Sequence, residues 1–273
     1  MLSKTIATAV LGLASLASAA KNCPVADVSA IAHTGTPVGE TVPYNGRKCF
    51  SLRNAPDDGP KGHSARGNKT SVGVLYLTDV YGVQLAQNTL LTDSFARAGY
   101  ISVAPDLFDG KPAPNDINVP GFNTTQFLAA HGPNVTDPII ANAVKYLKEE
   151  LGVSKVAVTG YCFGGRYAFR ELAAGKGANV AFAAHPSLLT DDEIKAITGP
   201  ASVAAAQNDN LMPAARRAEI EALLGATGQP FSLALYGGTS HGFGVRANIS
   251  DPQQKYGKEE AFFQAVRFFD TWA

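Results

Sequence analysis

Val153-Ser154-Lys155-Val156-Ala157-Val158-Thr159 runs directly into Gly160-Tyr161-Cys162-Phe163-Gly164-Gly165. The first stretch is short, apolar and rich in β-branched residues, which predicts a buried strand. The residues from Phe163 to Ala174 predict a helix. A strand that passes to a helix through glycine-x-cysteine-x-glycine predicts a strained elbow, with the middle side chain lifted above the sheet. Small residues are needed on either side, because so tight a turn leaves little room beside the nucleophile. Cys162 is therefore the candidate nucleophile. The same turn aims the amide of Phe163, at the start of a helix, toward an incoming carbonyl oxygen, which makes it half of a candidate oxyanion hole.

The alternation continues outward from the elbow. From Ser71 onward, short β-rich runs alternate with helical stretches, the pattern of an α/β chain with a mostly parallel sheet and helices on both faces. Strands are predicted at Val72 to Leu77, Tyr100 to Ala104, Asn179 to Ala184, Ala201 to Ala206 and Pro230 to Tyr236. Helices are predicted from Leu85 to Ala98, from Thr136-Asp137-Pro138 to about Leu151, from Pro213 to Leu224 and from Gly257 to Trp272. Residues 105–134 hold Pro105, Pro112, Pro114, Pro120 and Pro133 with little periodicity, and read as a long loop or lid. Residues 21–70 resist assignment.

A cysteine nucleophile needs a base, and the base needs an acceptor that orients it. In an elbow of this kind they follow the nucleophile in the order acid, then histidine. Asp209, in Gln207-Asn208-Asp209-Asn210, follows one predicted strand, and His241, in Ser240-His241-Gly242-Phe243, follows the next. Side chains after neighbouring parallel strands converge at the carboxyl edge of the sheet. Asp209 alone reads equally well as a turn residue. His241 has few rivals: His33 and His63 fall in N-terminal segments expected to be exposed, His131 in the proline-rich stretch, and His185 just past a strand, where it could line the site but packing is the expectation. No metal-ligand spacing and no nucleotide-binding fingerprint is present, so neither metal nor cofactor is expected.

Residues 1–19 read as a signal peptide: Lys4, an apolar stretch from Ile6 to Leu16, then Ala17-Ser18-Ala19-Ala20. That stretch is too short to span a bilayer. A secreted single domain over residues 20–273 is expected. Lys and Arg number 23 against 23 Asp and Glu, scattered along the chain, so no footprint for nucleic acid or an anionic membrane appears. The expected partner is a small molecule, and the chain is expected to be a monomer. Acceptor tripeptides for N-glycosylation begin at Asn68, Asn123, Asn134 and Asn248. Of three cysteines, Cys23 and Cys49 are close enough in the N-terminal segment to pair, which leaves Cys162 unpaired. A buried structural thiol is the alternative reading of Cys162.

At these residues the chain resembles the dienelactone hydrolase family, in particular its secreted fungal members. The resemblance runs from about Ser71 to the C-terminus. It rests on Thr78-Asp79-Val80-Tyr81-Gly82, Ala104-Pro105-Asp106-Leu107-Phe108, the elbow at 160–165, Gln207-Asn208-Asp209-Asn210 and Ser240-His241-Gly242-Phe243. It implies an α/β-hydrolase fold and hydrolysis of an ester or lactone by Cys162, Asp209 and His241. It also implies oxyanion amides at Phe163 and Val80, with Asp79, Tyr81 and Arg246 modulating the thiol or binding substrate. The family carries a glutamate where this chain has Asp79, and that acid helps control ionisation of the thiol. Founding bacterial members hold a substrate carboxylate with two arginines. Here the first stretch reads Asp109-Gly110-Lys111, and the second offers Arg246 one position late, which argues against dienelactone as the natural substrate. Some fungal relatives are labelled β-glucanases, but glycoside cleavage needs two flanking carboxyl groups, and no such pair stands out. The rival from another class is a non-catalytic binding protein on the same fold. Degenerate members usually lose a triad residue or an elbow glycine, and this chain keeps them all.

Overall fold

The computed structural model describes residues 31–44, 47–52, 69 and 71–273. Residues 1–19, Cys23, His63 and Asn68 lie outside the described residues. The chain builds β1 (Glu40–Tyr44), β2 (Arg47–Leu52), β3 (Val72–Leu77), α1 (Ala86–Arg97), β4 (Ile101–Pro105), α2 (Thr124–Ala130) and α3 (Pro133–Lys145). A π-helical turn, Tyr146–Glu150, extends α3. Then come β5 (Lys155–Tyr161), α4 (Phe163–Glu171), β6 (Val180–Ala184), α5 (Asp191–Lys195), β7 (Ala201–Asn208), α6 (Ala214–Ala226), β8 (Phe231–Ser240), α7 (Phe243–Arg246) and α8 (Pro252–Trp272).

The sheet order is β1-β2-β4-β3-β5-β6-β7-β8. Strands from β4 across to β8 are parallel, while β2 joins β4 and β1 joins β2 antiparallel. The chain passes from β3 to β4 on one side, then returns to place β5 on the other. That reversal opens a crevice beyond the carboxyl ends of β3 and β5, where ligands of open α/β sheets bind.

Period-two alternation explains the layering. Leu75 and Leu77 of β3, Val156 and Val158 of β5 and Val203 of β7 face one side, against Ile140 of α3, Ala168 of α4 and Leu224 of α6. Val74, Tyr76, Ala157, Phe182 and Ala204 face the other, against Phe95 of α1 and Phe262 and Phe269 of α8. Both faces are covered, which is why the strands read as continuous apolar runs.

Three expectations are corrected. The 105–134 stretch is not all loop: α2 forms within it, because Asn123 caps its N-terminus through Gln126 N and Phe127 packs on Phe108. Helix α3 opens at Pro133 rather than at Thr136, so Pro138 lies inside it. His33 is not in an exposed loop; its Nε2 meets Glu259 Oε1 of α8 at 2.7 Å, and the ring is mostly buried. Strands β1 and β2 fall in the stretch that resisted assignment, with Cys49 on β2.

Helix α4 is fixed on its outer side by ion pairs. Glu193 of α5 accepts from Arg166 Nε at 2.8 Å and from Arg170 Nη1 at 2.8 Å, and Arg170 reaches Asp137 of α3 at 2.5 Å. Among the described residues the neighbouring Glu171 makes no such ion pair: it is 3 % exposed, and its Oε1 accepts no hydrogen bond. Burial pushes its carboxyl up to about 7 from an ordinary 4.5. A carboxyl whose pKa is higher folded than unfolded adds stability below the unfolded value, and that stability is lost as pH rises through the folded one. Glu171→Gln should therefore raise stability at about pH 8, by on the order of 2 kcal/mol, with little change near pH 4.5. Thermal melts of both proteins at the two pH values check this.

Candidate active site

The elbow is present and strained. Cys162 has φ 52° and ψ −112°, a left-handed backbone that a residue with a Cβ seldom adopts. The flanking glycines show why the turn tolerates nothing larger. A Cβ on Gly160 would lie 2.1 Å from Gly164 O, and one on Gly164 would lie 2.2 Å from Leu77 O. A Cβ on Gly165 would also be too close to a neighbour, at 2.8 Å from Pro186 Cβ. Backbone bonds lock the turn in place: Cys162 N donates to Ala184 O at 3.1 Å and Gly164 N to Thr78 O at 3.1 Å. Cys162 is thus the N-cap of α4, where the helix dipole favours negative charge on the sulfur.

The Gly164–Thr78 bond also holds the turn after β3 against the start of α4. Val80 and Phe163 sit on these two segments, and neither amide has an acceptor among the described residues. Phe108 lies over this corner, with ring centroids 5.3 Å from Phe163, 5.3 Å from Phe127 and 5.1 Å from His131. The 105–134 segment is therefore docked on the elbow through aromatic contacts.

Register brings the acid and the histidine together. Ala206 pairs with Tyr236, but the next pair is Asn208 with Ser240, so β8 carries two extra residues in a bulge around Gly237-Gly238. Beyond it, Asp209 and His241 leave adjacent strand ends side by side. His241 Nδ1 lies 2.8 Å from Asp209 Oδ2, and Asp209 Oδ1 accepts from Leu211 N at 2.8 Å and Met212 N at 3.2 Å. Asp209 is thereby fixed by its own turn and fixes the imidazole in turn. The other ring nitrogen, Nε2, is buried without a full hydrogen bond, with Cys162 near enough to act on it. Burial alone would depress the imidazole, but the Asp209 hydrogen bond and the proximity of Cys162 outweigh it and lift its pKa to about 10.

Asp79 is engaged elsewhere than at the sulfur. Its Oδ1 accepts from Asn88 Nδ2 at 2.8 Å and Tyr81 N at 3.2 Å, and its Oδ2 accepts from Arg246 Nε at 3.2 Å. Burial raises its carboxyl, opposed by Asn88 and Arg246. The Arg246 guanidinium also stacks 4.5 Å over the Tyr81 ring, so Asp79, Tyr81 and Arg246 form one cluster. No hydrogen bond joins Asp79 to Cys162 among the described residues.

Two residues, Ser187 and Asn88, escaped the sequence reading, and a third, His185, was read there as a packing residue. Ser187 Oγ lies 3.7 Å from Cys162 Sγ. Asn88, fully buried in α1, bridges Asp79, Gly82 O and the Tyr76 hydroxyl. His185 is buried with its ring 5.0 Å from that of His241, edge to face, and both its nitrogens lack partners among the described residues. Burial, then His241 and Arg246, hold it well below the ordinary histidine range, so it is neutral. His185 and Ser187 follow the end of β6, the strand beside the elbow, and that position was the available signal. Of the described glycosylation candidates, Asn123 and Asn248 are exposed in connecting segments, and Asn134 is exposed in the first turn of α3. Among the described residues no group of three His, Cys, Asp or Glu is arranged to hold a metal ion, and no helix is long and apolar enough to cross a membrane.

Residues 62–273 match the model of the dienelactone hydrolase family. Hydrolase pyvD of Aspergillus violaceofuscus is 37% identical over 203 residues, covering 74% of this chain and 82% of that protein. Dienlactone hydrolase 1 of Gibberella moniliformis is 25% identical over 247 residues, covering 88% of this chain and 90% of its own. Among solved structures, a dienelactone hydrolase-like promiscuous phosphotriesterase from metagenomic libraries superposes with a TM-score of 0.65 at 16% identity, over 87% of this chain and 99% of that one. The fold, the ordered site and these likenesses agree: the chain belongs to the dienelactone hydrolase family, hydrolases of esters and lactones.

Proposed function

We propose that the protein is a secreted cysteine hydrolase that cleaves a small ester or lactone through an acyl-cysteine intermediate. His241 takes the proton of Cys162 before substrate arrives, and the resulting thiolate attacks the carbonyl carbon. The amides of Val80 and Phe163 hold the developing oxyanion. The tetrahedral intermediate collapses, and the protonated His241 returns its proton to the leaving alkoxide. Water, deprotonated by His241, then attacks the thioester and releases the acid and the thiol.

The observation that carries this reading is the 2.8 Å contact of His241 Nδ1 with Asp209. It leaves Nε2 for Cys162 at the strained head of α4. An imidazole this strongly biased to its protonated form is the counter-ion a thiolate requires and the acid a leaving alkoxide needs. Arg246, held by Asp79 and Tyr81, is the substrate-binding cation of this proposal. Secretion rests on the leader-like residues 1–19. The test is whether ester turnover passes through an acyl group on Cys162, read as added mass on the peptide that contains it.

A further inference from the structure

If Cys162 is the nucleophile, something must hold its sulfur before substrate arrives. The acid at position 79 does not do so in this chain, because Asn88, Tyr81 N and Arg246 occupy both its oxygens. The polar group at the sulfur is the hydroxyl of Ser187, at 3.7 Å, and this hydroxyl makes no other hydrogen bond among the described residues.

The position of Ser187 is built rather than incidental. Its amide donates to Cys162 O at 3.1 Å, so the two residues are tied by backbone as well as by side chain. One residue earlier, Pro186 is wedged against Gly165, where no Cβ fits. On either side the chain bends through left-handed backbone at residues that are not glycine, His185 at φ 39° and Leu188 at φ 58°. Such conformations cost on the order of 1–3 kcal/mol each and persist only where the surroundings impose them. The strain delivers Ser187 to the sulfur, in a buried position 5 % exposed.

We infer that Ser187 is the positioning residue of the Cys162 thiol: its hydroxyl donates to the ionised sulfur, favouring the thiolate and fixing where it points. A donor to the charged form stabilises that form, and the thiolate is the reactive species. The other titratable groups acting on the sulfur are His241, after β8, and Tyr81, after β3. Asp79 and Arg246 are bound to each other, and His185 is neutral.

The test is the rate of Cys162 alkylation by iodoacetamide as a function of pH, in the full-length protein and in Ser187→Ala and Ser187→Thr. Ser187→Ala should move the midpoint upward by about one pH unit, so that alkylation at pH values well below both midpoints slows about tenfold, and Ser187→Thr, which keeps the hydroxyl, should restore it. A purely structural role would lower the melting temperature and leave the midpoint in place. An unchanged midpoint in folded Ser187→Ala overturns the inference. Hydrolysis of an aryl ester is followed on the same samples: activity that survived complete alkylation would overturn the nucleophile assignment, while the midpoints still report on Ser187.

Discussion

Asp209→Asn is expected to lower kcat for ester hydrolysis at least about 10³-fold while the protein stays folded. Asparagine can keep the two amide bonds that Asp209 Oδ1 accepts from Leu211 and Met212, so the turn survives. What changes is the group facing His241 Nδ1, now an amide N–H in place of a carboxylate oxygen. The imidazole must then carry its proton on Nε2, the nitrogen needed as base toward Cys162. The Asp209 hydrogen bond, which helps lift the imidazole to about 10, is lost with it. Steady-state kinetics and a thermal melt of the variant check both halves, and a loss below tenfold would remove Asp209 from the mechanism.

Gly164→Ala is expected to destabilise the fold by more than about 3 kcal/mol, because the clash is with backbone that has nowhere to move. The added methyl would lie 2.2 Å from Leu77 O and 2.7 Å from Thr78 O, at the end of a central strand. Relief requires parting α4 from β3, which breaks the Gly164–Thr78 bond and separates the Val80 and Phe163 amides. The internal control is Gly225→Ala in α6, where an added Cβ meets nothing within 4 Å. There alanine should be neutral or stabilise by up to about 1 kcal/mol. Chemical denaturation of the two variants separates a packing requirement at the elbow from a general cost of replacing glycine.

Much of this architecture is legible in the sequence because local signals agree with the global fold. The predicted strands at Val72 to Leu77, Asn179 to Ala184 and Ala201 to Ala206 form, because residues buried on both faces leave an unbroken apolar run. The elbow is legible because sterics restrict it to glycines. What escaped depends on contacts distant in the chain. Helix α2 exists because Phe127 meets Phe108, and neither its seven residues nor the prolines around it advertise a helix. The bulge that brings His241 to Asp209 is visible only as a two-residue difference in strand pairing. Ser187 follows its strand as an ordinary loop residue, and its meaning comes from the neighbouring strand that carries Cys162.

If the acyl group passes through the sulfur of Cys162, it can be caught there during turnover. The protein is mixed with excess aryl ester, quenched in acid during turnover, digested and weighed peptide by peptide, with Cys162→Ala run in parallel. An acyl mass should appear on the Cys162 peptide and disappear as substrate is exhausted, with no turnover in Cys162→Ala. An acyl group on another residue, or undiminished hydrolysis by Cys162→Ala, would contradict passage through the sulfur.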